Sequence, residues 1–176
     1  QLEDCLNSLS FVSEIIILDS GSDDETENIA RSFAANFMHQ EWLGYGPQKQ
    51  KAVELAKYDW VLCLDADERI SDELAASIQS AMKSPQYQAY QFPRRNRFMG
   101  RWLRHGEGYP DISLRLFNRQ YANWSNDAVH EFVQANVSTG MLKGDLLHDS
   151  AASLASYLEK QNRYTSLQAE KMYQSG

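Results

Sequence analysis

The chain has 176 residues, 43% hydrophobic and 23% charged, which allows one domain with a sizeable core and speaks against wholesale disorder. A net charge of −7 argues against nucleic-acid binding, and the sequence offers neither an apolar run long enough to span a bilayer nor a signal-peptide pattern. Two cysteines, Cys5 and Cys63, lie in apolar segments without a Cys or His at metal-site spacing, so a disulfide framework is not expected and a cytoplasmic location is.

The opening "QLEDCLNSL" predicts a helix with Leu2, Cys5, Leu6 and Leu9 on one face. "SEIIILD" predicts a buried parallel strand. "SGSDDETENIARSFA" turns through Gly21 into a helix with Asp23 or Asp24 as its N-cap. A short strand, "NFMHQ", and a Gly/Pro turn leading into the helix of "GYGPQKQKAVELAKY" follow. "DWVLCLD" is the next buried strand, and "SDELAASIQSAMK" a helix starting at Ser71. This alternation implies βαβ units and a mostly parallel central sheet flanked by helices. After Pro85 the texture changes. "YQAYQFPRRNRFMGRWLRHGEGYP" mixes aromatics and arginines without helical period, "DISLRLFNR" alternates as a strand, and "ANWSNDAVHEFVQ" and "STGMLKGDLLHDS" read as strands and loops. "AASLASYLEKQNRYTSLQAEKMY" carries Leu154, Tyr157, Leu158, Tyr164 and Leu167 at helical spacing. The expected organisation is one α/β domain over 1–176, with a nucleotide-fold half over 1–84, an irregular half over 85–150 and a C-terminal helix over 151–176.

Two predicted strands end in acid: "IIILDSGSDD" at Asp19 and "VLCLDADE" at Asp65. In an open parallel sheet such ends share the ligand-binding crevice. A single strand-end Asp is more often plain turn chemistry; two in one βα pattern favour a site. Asp65 and Asp67, spaced i and i+2, suit a hard cation such as Mg²⁺ or Mn²⁺, which completes its octahedron with water and phosphate oxygens and can neutralise a departing diphosphate. Neither a G-x-x-x-x-G-K-[ST] loop nor a G-x-G-x-x-G after a strand is present, which disfavours an ATPase or a dinucleotide enzyme.

The order "IIILDSGSDDET", "GYGPQKQKAVELA", "DWVLCLDADERI" resembles family 2 glycosyltransferases of the GT-A fold. The second half, with "RRNRFMGRWLRHGEGYPDISLRLFNR", "AVHE" and "LLHDSAASLASYLEKQNRYT", is similar to the bacterial lipopolysaccharide-core glucosyltransferase group of the WaaE/KdtX type. The resemblance covers essentially the whole chain. The D-x-D element alone is weakly specific; the ordered set is strong.

The resemblance implies a donor pocket in which Asp19 holds base or ribose, lined by Ser20 and Gly21, with Lys49 reaching the nucleotide or its diphosphate and Lys51 as its competitor. It implies Asp65 on ribose or metal-bound water, Asp67 as direct metal ligand and His148 completing the metal shell or touching the diphosphate, while Glu68 is expected to cap the following turn. An inverting transferase needs a carboxylate to take the acceptor hydroxyl proton. Glu131 of "AVHE" is the first candidate, Asp111 the rival and Asp127 a distant third. Arg115 is expected beneath the site, paired to Asp111 or Glu131. His130 is expected to orient acceptor or diphosphate, and the basic–aromatic run containing Arg95, Arg101 and Trp102 to form a loop over an anionic, amphipathic acceptor or a membrane surface. Each of these has a plainer reading, as a salt-bridged or hydrogen-bonded structural residue.

The chain departs from the family pattern at its start. Members begin with a strand ending in a "TKNE"-like turn, whereas Gln1 already lies in the following helix, so an N-terminally incomplete domain is expected. The activity implied is transfer of a sugar, glucose from UDP-glucose, to a lipopolysaccharide inner-core sugar with Mg²⁺ or Mn²⁺, at the cytoplasmic face of the inner membrane and with peripheral contact to it. The alternatives are the same fold on another polysaccharide or lipid-carrier acceptor, an inactive sugar-nucleotide-binding domain, and a metal-dependent nucleotidyltransferase.

Overall fold

In the computed structural model the described residues are 1–106, 109–127 and 131–151, together with Ala155, Leu158, Asn162, Thr165, Ala169 and Tyr173, all six helical. The expected apolar-face residues Leu154, Tyr157, Tyr164 and Leu167 lie outside this set.

The first half follows its hydrophobic pattern. Helix α1 (Leu2–Asn7) buries Cys5 and Leu6. The aliphatic run becomes strand β1 (Ile16–Asp19), paired in parallel with β2 (Asn36–His39) across α2 (Thr26–Ser32). Asp24 Oδ1 accepts from the Thr26 N–H at 2.9 Å, although Glu25 holds the N-cap position itself. Helix α3 (Tyr45–Leu55) starts earlier than its Pro47 suggests, because a first-turn residue has no intrahelical partner for its N–H. Strand β3 (Trp60–Leu62), strand β4 (Glu68–Ile70) and helix α4 (Asp72–Lys83) follow, α4 capped by Ser71 Oγ accepting from the Leu74 N–H at 3.3 Å.

The second half corrects two expectations. The basic–aromatic run is no loop. Its first part is a ten-residue strand, β5 (Ala89–Phe98), which turns through Met99 and Gly100, both at positive φ, into β6 (Arg101–Trp102). Pro93 is tolerated inside β5 because it falls between the partners of two neighbours: β10 (Thr139–Met141) ends opposite Gln91, and β11 (Leu146–Ala151) begins opposite Arg94. The large sheet is also mixed rather than mostly parallel. Its order is β3-β7-β5-β11-β4, where β7 is Asp111–Asn118; β10 and β6 pair β5 besides. Among the described residues, only β5–β10 and β5–β11 in this sheet, and the separate β1–β2 pair, run parallel. The reason is topological: the βα alternation stops after α4, and the long strands β5 and β7 enter the sheet antiparallel to each other. A further antiparallel ribbon joins β8 (Ala122–Trp124) to β9 (Val133–Ala135).

Two apolar clusters hold these layers. One packs Ile70, Leu74 and Ile78 with Tyr90, Phe92, Leu116 and Leu146. The other packs Val53 and Val61 with Phe117, Trp124 and Val133. Among the described residues β1 pairs only with β2, and β3 only with β7. Ile16 and Ile17 from one, and Val61 and Leu62 from the other, line a common open cleft of 1880 Å³.

Candidate active site

The acid knot "DADE" follows β3 after Cys63 and Leu64. The chain turns sharply there, with the Glu68 N–H donating to the Asp65 carbonyl at 2.9 Å and Glu68 Oε2 accepting from the Asp65 N–H at 2.9 Å. Glu68 therefore closes the turn before it rather than capping the turn that follows. It opens β4, is fully buried, and receives Arg115 Nη2 at 3.1 Å and Arg94 Nη1 at 3.4 Å on Oε1. Arg115 owes its aim to a β-bulge: Tyr90 pairs with Leu116 and Gln91 with Leu114, so Arg115 is the extra residue of β7. The expected pairing of Arg115 with Asp111 or Glu131 is thus corrected: it pairs Glu68 and, at 3.3 Å, Asp65. Desolvation opposes its charge, but Glu68 and Asp65 outweigh this and hold the guanidinium above its ordinary pKa.

Asp65 lies between two cations. Lys49 Nζ is 2.9 Å from its Oδ1, and Arg115 approaches Oδ2. Desolvation again works against ionisation, yet Arg115 and Lys49 keep the carboxyl well below the usual carboxylate range. Lys49 also donates to Glu131 Oε1 at 2.7 Å. Its ammonium sits 4.8 Å from the centroid of buried Trp124, whose ring also carries the Arg115 guanidinium at 5.3 Å. Trp124 Nε1 donates to Cys63 Sγ at 3.4 Å, which fixes the indole under both cations. Lys51, the competing lysine, instead pairs with Glu54 on the outer side of α3.

Asp67 points to His148. His148 Nε2 is 3.4 Å from Asp67 Oδ2, and the Asp149 N–H donates to the Asp67 carbonyl at 3.1 Å, tying the acid loop to β11. Among the described residues no group of three or more His, Cys, Asp or Glu side chains is placed to hold a metal ion. An oxygen donor and a nitrogen donor side by side nonetheless fit a divalent cation that takes its other ligands from phosphate and water. Asp65, already neutralised by two cations, fits direct ligation less well than Asp67 and His148.

On β1, Asp19 spends both carboxylate oxygens on its own turn: Oδ2 accepts from the N–H groups of Gly21 at 2.7 Å and Ser22 at 2.9 Å, and Oδ1 from Ser22 Oγ at 2.6 Å. Desolvation opposes ionisation here, and these bonds outweigh it, so Asp19 stays below the ordinary carboxylate pKa. Gly21 supplies the φ of +106° that the turn needs. Buried Gln48 donates to Ser20 Oγ at 2.9 Å and accepts from the Leu43 N–H at 3.4 Å, locking this turn to the loop before α3.

The arginines of β5 divide by strand alternation. Arg94 reaches Asp111 at 2.7 Å as well as Glu68, and Asn96 reaches His148. Arg95 and Arg97 turn to Asp145 and Asp149 and lie over Trp102 at 5.8 and 5.6 Å. Lys49, Asp65, Asp67, Asp111, Glu131 and His148 line the cleft; Arg95, Arg101 and Trp102 do not. His130 lies outside the described residues. Asp127 is met through its backbone, whose carbonyl accepts from the Gly46 N–H at 3.3 Å.

The sequence pattern of the family described as glycosyl transferase family 2 matches residues 1–139. The chain belongs to glycosyl transferase family 2. Within it, the chain is 30% identical over 180 residues to the lipopolysaccharide core biosynthesis glycosyltransferase LpsC of Rhizobium meliloti, covering 98% of this chain and 67% of that protein. It is 30% identical over 184 residues to an uncharacterized glycosyltransferase of Rickettsia typhi, covering 97% of this chain. The chain spans 63% of the length of that relative. Among solved structures, S. aureus TarS 1–349 superposes with a TM-score of 0.58 at 14% identity, over 85% of this chain and 56% of that 1–349 chain. That likeness concerns the fold, which is the GT-A α/β fold expected from sequence.

For this family 2 member, sequence reasoning assembled Lys49, Asp65, Asp67, Glu131 and His148 but missed the groups that hold them. Gln48, Asn96 and Trp124 carried no motif. Arg115 is expected to face Asp111 or Glu131, and Glu68 to cap a turn, whereas the two pair with each other. The only available signal was an arginine in the otherwise apolar strand "SLRLF", which needs a buried acid to face.

Proposed function

We propose that the full protein is an inverting glycosyltransferase that moves glucose from UDP-glucose to a lipopolysaccharide inner-core sugar on the cytoplasmic side of the membrane. Family membership supports the transfer of a sugar, and the likeness to LpsC supports the acceptor class. In this reading Asp19, Ser20 and Gly21 form the nucleoside end of the donor pocket. Lys49 serves the diphosphate. Asp67 and His148 would hold a Mg²⁺ or Mn²⁺ ion, which when bound supplies positive charge to the leaving diphosphate. Glu131 takes the acceptor hydroxyl proton, with Asp111 as the rival base.

The observation that carries this reading is the bridge made by Lys49. It ties Glu131, from the second half of the chain, to Asp65, at the donor end of the first half, within one cleft. Asp111 is bound instead to Arg94, which pairs with the buried Glu68 rather than with Asp65.

The test is UDP release from UDP-glucose with a panel of acceptors: truncated lipopolysaccharide cores, polysaccharide fragments and lipid-linked sugars. Turnover should require an inner-core acceptor. Glu131→Gln should lower kcat by roughly 10²–10⁴ while leaving UDP affinity unchanged, the range typical of a lost general base. Full turnover by Glu131→Gln together with loss in Asp111→Asn would transfer the base role to Asp111.

A further inference from the structure

We propose that Asn96 is a positioning residue that fixes the tautomer and plane of His148, so that Nε2 presents its lone pair beside Asp67 Oδ2 as half of a cation clip. The proposal rests on the reading that Asp67 and His148 hold the divalent ion. Its own observation is distinct: Asn96 Oδ1 lies 2.6 Å from His148 Nδ1, the two residues being register partners in the parallel β5–β11 ladder.

An amide oxygen only accepts, so the proton of a neutral imidazole must sit on Nδ1 to satisfy it. Nε2 is then left with a lone pair, 3.4 Å from a carboxylate oxygen that also has only lone pairs to offer. Two acceptors at that separation repel unless a proton on Nε2 or a metal cation lies between them. The ladder adds rigidity. His148 pairs Asn96 on one side and Glu68 of β4 on the other, and the imidazole is 11% exposed, so the ring has little freedom to rotate. This is the arrangement by which a side-chain acceptor orients a ligating histidine and raises its basicity. β5 thus serves the site twice on one face, Arg94 steadying the buried Glu68 and Asn96 steadying His148.

The test uses the full-length protein with UDP and Mn²⁺. Mn²⁺ affinity is read by the loss of the free-ion EPR signal, and the His148 tautomer from ¹⁵N shifts of histidine-labelled protein. Asp67→Ala and His148→Ala should each abolish UDP-dependent Mn²⁺ binding. Asn96→Leu should weaken it about 10- to 100-fold and move the proton of the metal-free ring off Nδ1. Asn96→Asp keeps the acceptor and should restore both readouts. Equal thermal midpoints of Asn96→Leu and Asn96→Asp would show that the difference is not one of folding. Unchanged Mn²⁺ affinity in both alanine variants would overturn the metal reading and this proposal with it. Loss in the alanine variants but wild-type affinity in Asn96→Leu, or equal loss in Asn96→Asp and Asn96→Leu, would overturn the positioning role alone.

Discussion

The four letters "DADE" hold three carboxylates with different electrostatic surroundings. Asp65 is ionised between Lys49 and Arg115, Asp67 faces His148, and Glu68 is buried beneath them. Because the folded pKa of Asp65 lies below its unfolded value of about 3.9, its contribution is present in full above about pH 5 and is lost as pH falls through the folded value. Asp65→Asn removes that proton uptake, so its stability measured by denaturant unfolding should fall less steeply between pH 5 and 3 than the parent's. Arg115→Met leaves Glu68 buried with Arg94 as its remaining cation, and should cost about 3–5 kcal/mol in the same measurement. The double variant Arg115→Met/Glu68→Gln should recover part of this, since the stranded charge goes with its partner. The sequence made the acids visible as a run at the end of an apolar strand. It could not say which cations meet them, because Arg115 reaches the knot only through a bulge that pattern reading does not register.

At the scale of elements, local pattern served well where one periodicity ruled. The aliphatic runs of β1 and β3 and the Ser71-capped α4 lie where the sequence puts them. β5 was hidden because Pro93 and three arginines break the expected profile of an interior strand. What makes it a strand is supplied from afar: acids from β7, β4 and β11 neutralise its arginines. The same strand then sorts the basic run into two faces, which a loop would not do. Helix α3 shows a second non-local demand. A Cβ at Gly46 would stand 2.1 Å from the Ser125 carbonyl oxygen and 2.9 Å from that of Asp127. Gly46→Ala must push the 125–127 segment outward, and with it the approach to Glu131. About 1–3 kcal/mol of destabilisation is expected from such overpacking, read as a lowered Tm, together with a fall in turnover larger than the change in UDP affinity.

For the whole molecule, the α/β class was legible from the alternation of apolar strands and helices before Pro85. The mixed sheet was not, since strand direction is decided by partners from distant parts of the chain rather than by alternation. One further property follows from how the strands are grouped. The β1–β2 pair, which bears Asp19, Ser20 and Gly21, shares no backbone hydrogen-bond ladder with the large sheet among the described residues. Within residues 1–176 its opening therefore need not disturb β5 and β7, and in this stretch of chain it can behave as a separate cooperative unit in native-state hydrogen exchange. Amides of residues 16–19 and 36–39 should exchange faster than those of β5 and β7. A nucleotide that grips the Asp19 turn would slow the first set by mass action and leave the second unchanged. A ladder separate from the large sheet would then act as its own gauge of donor occupancy.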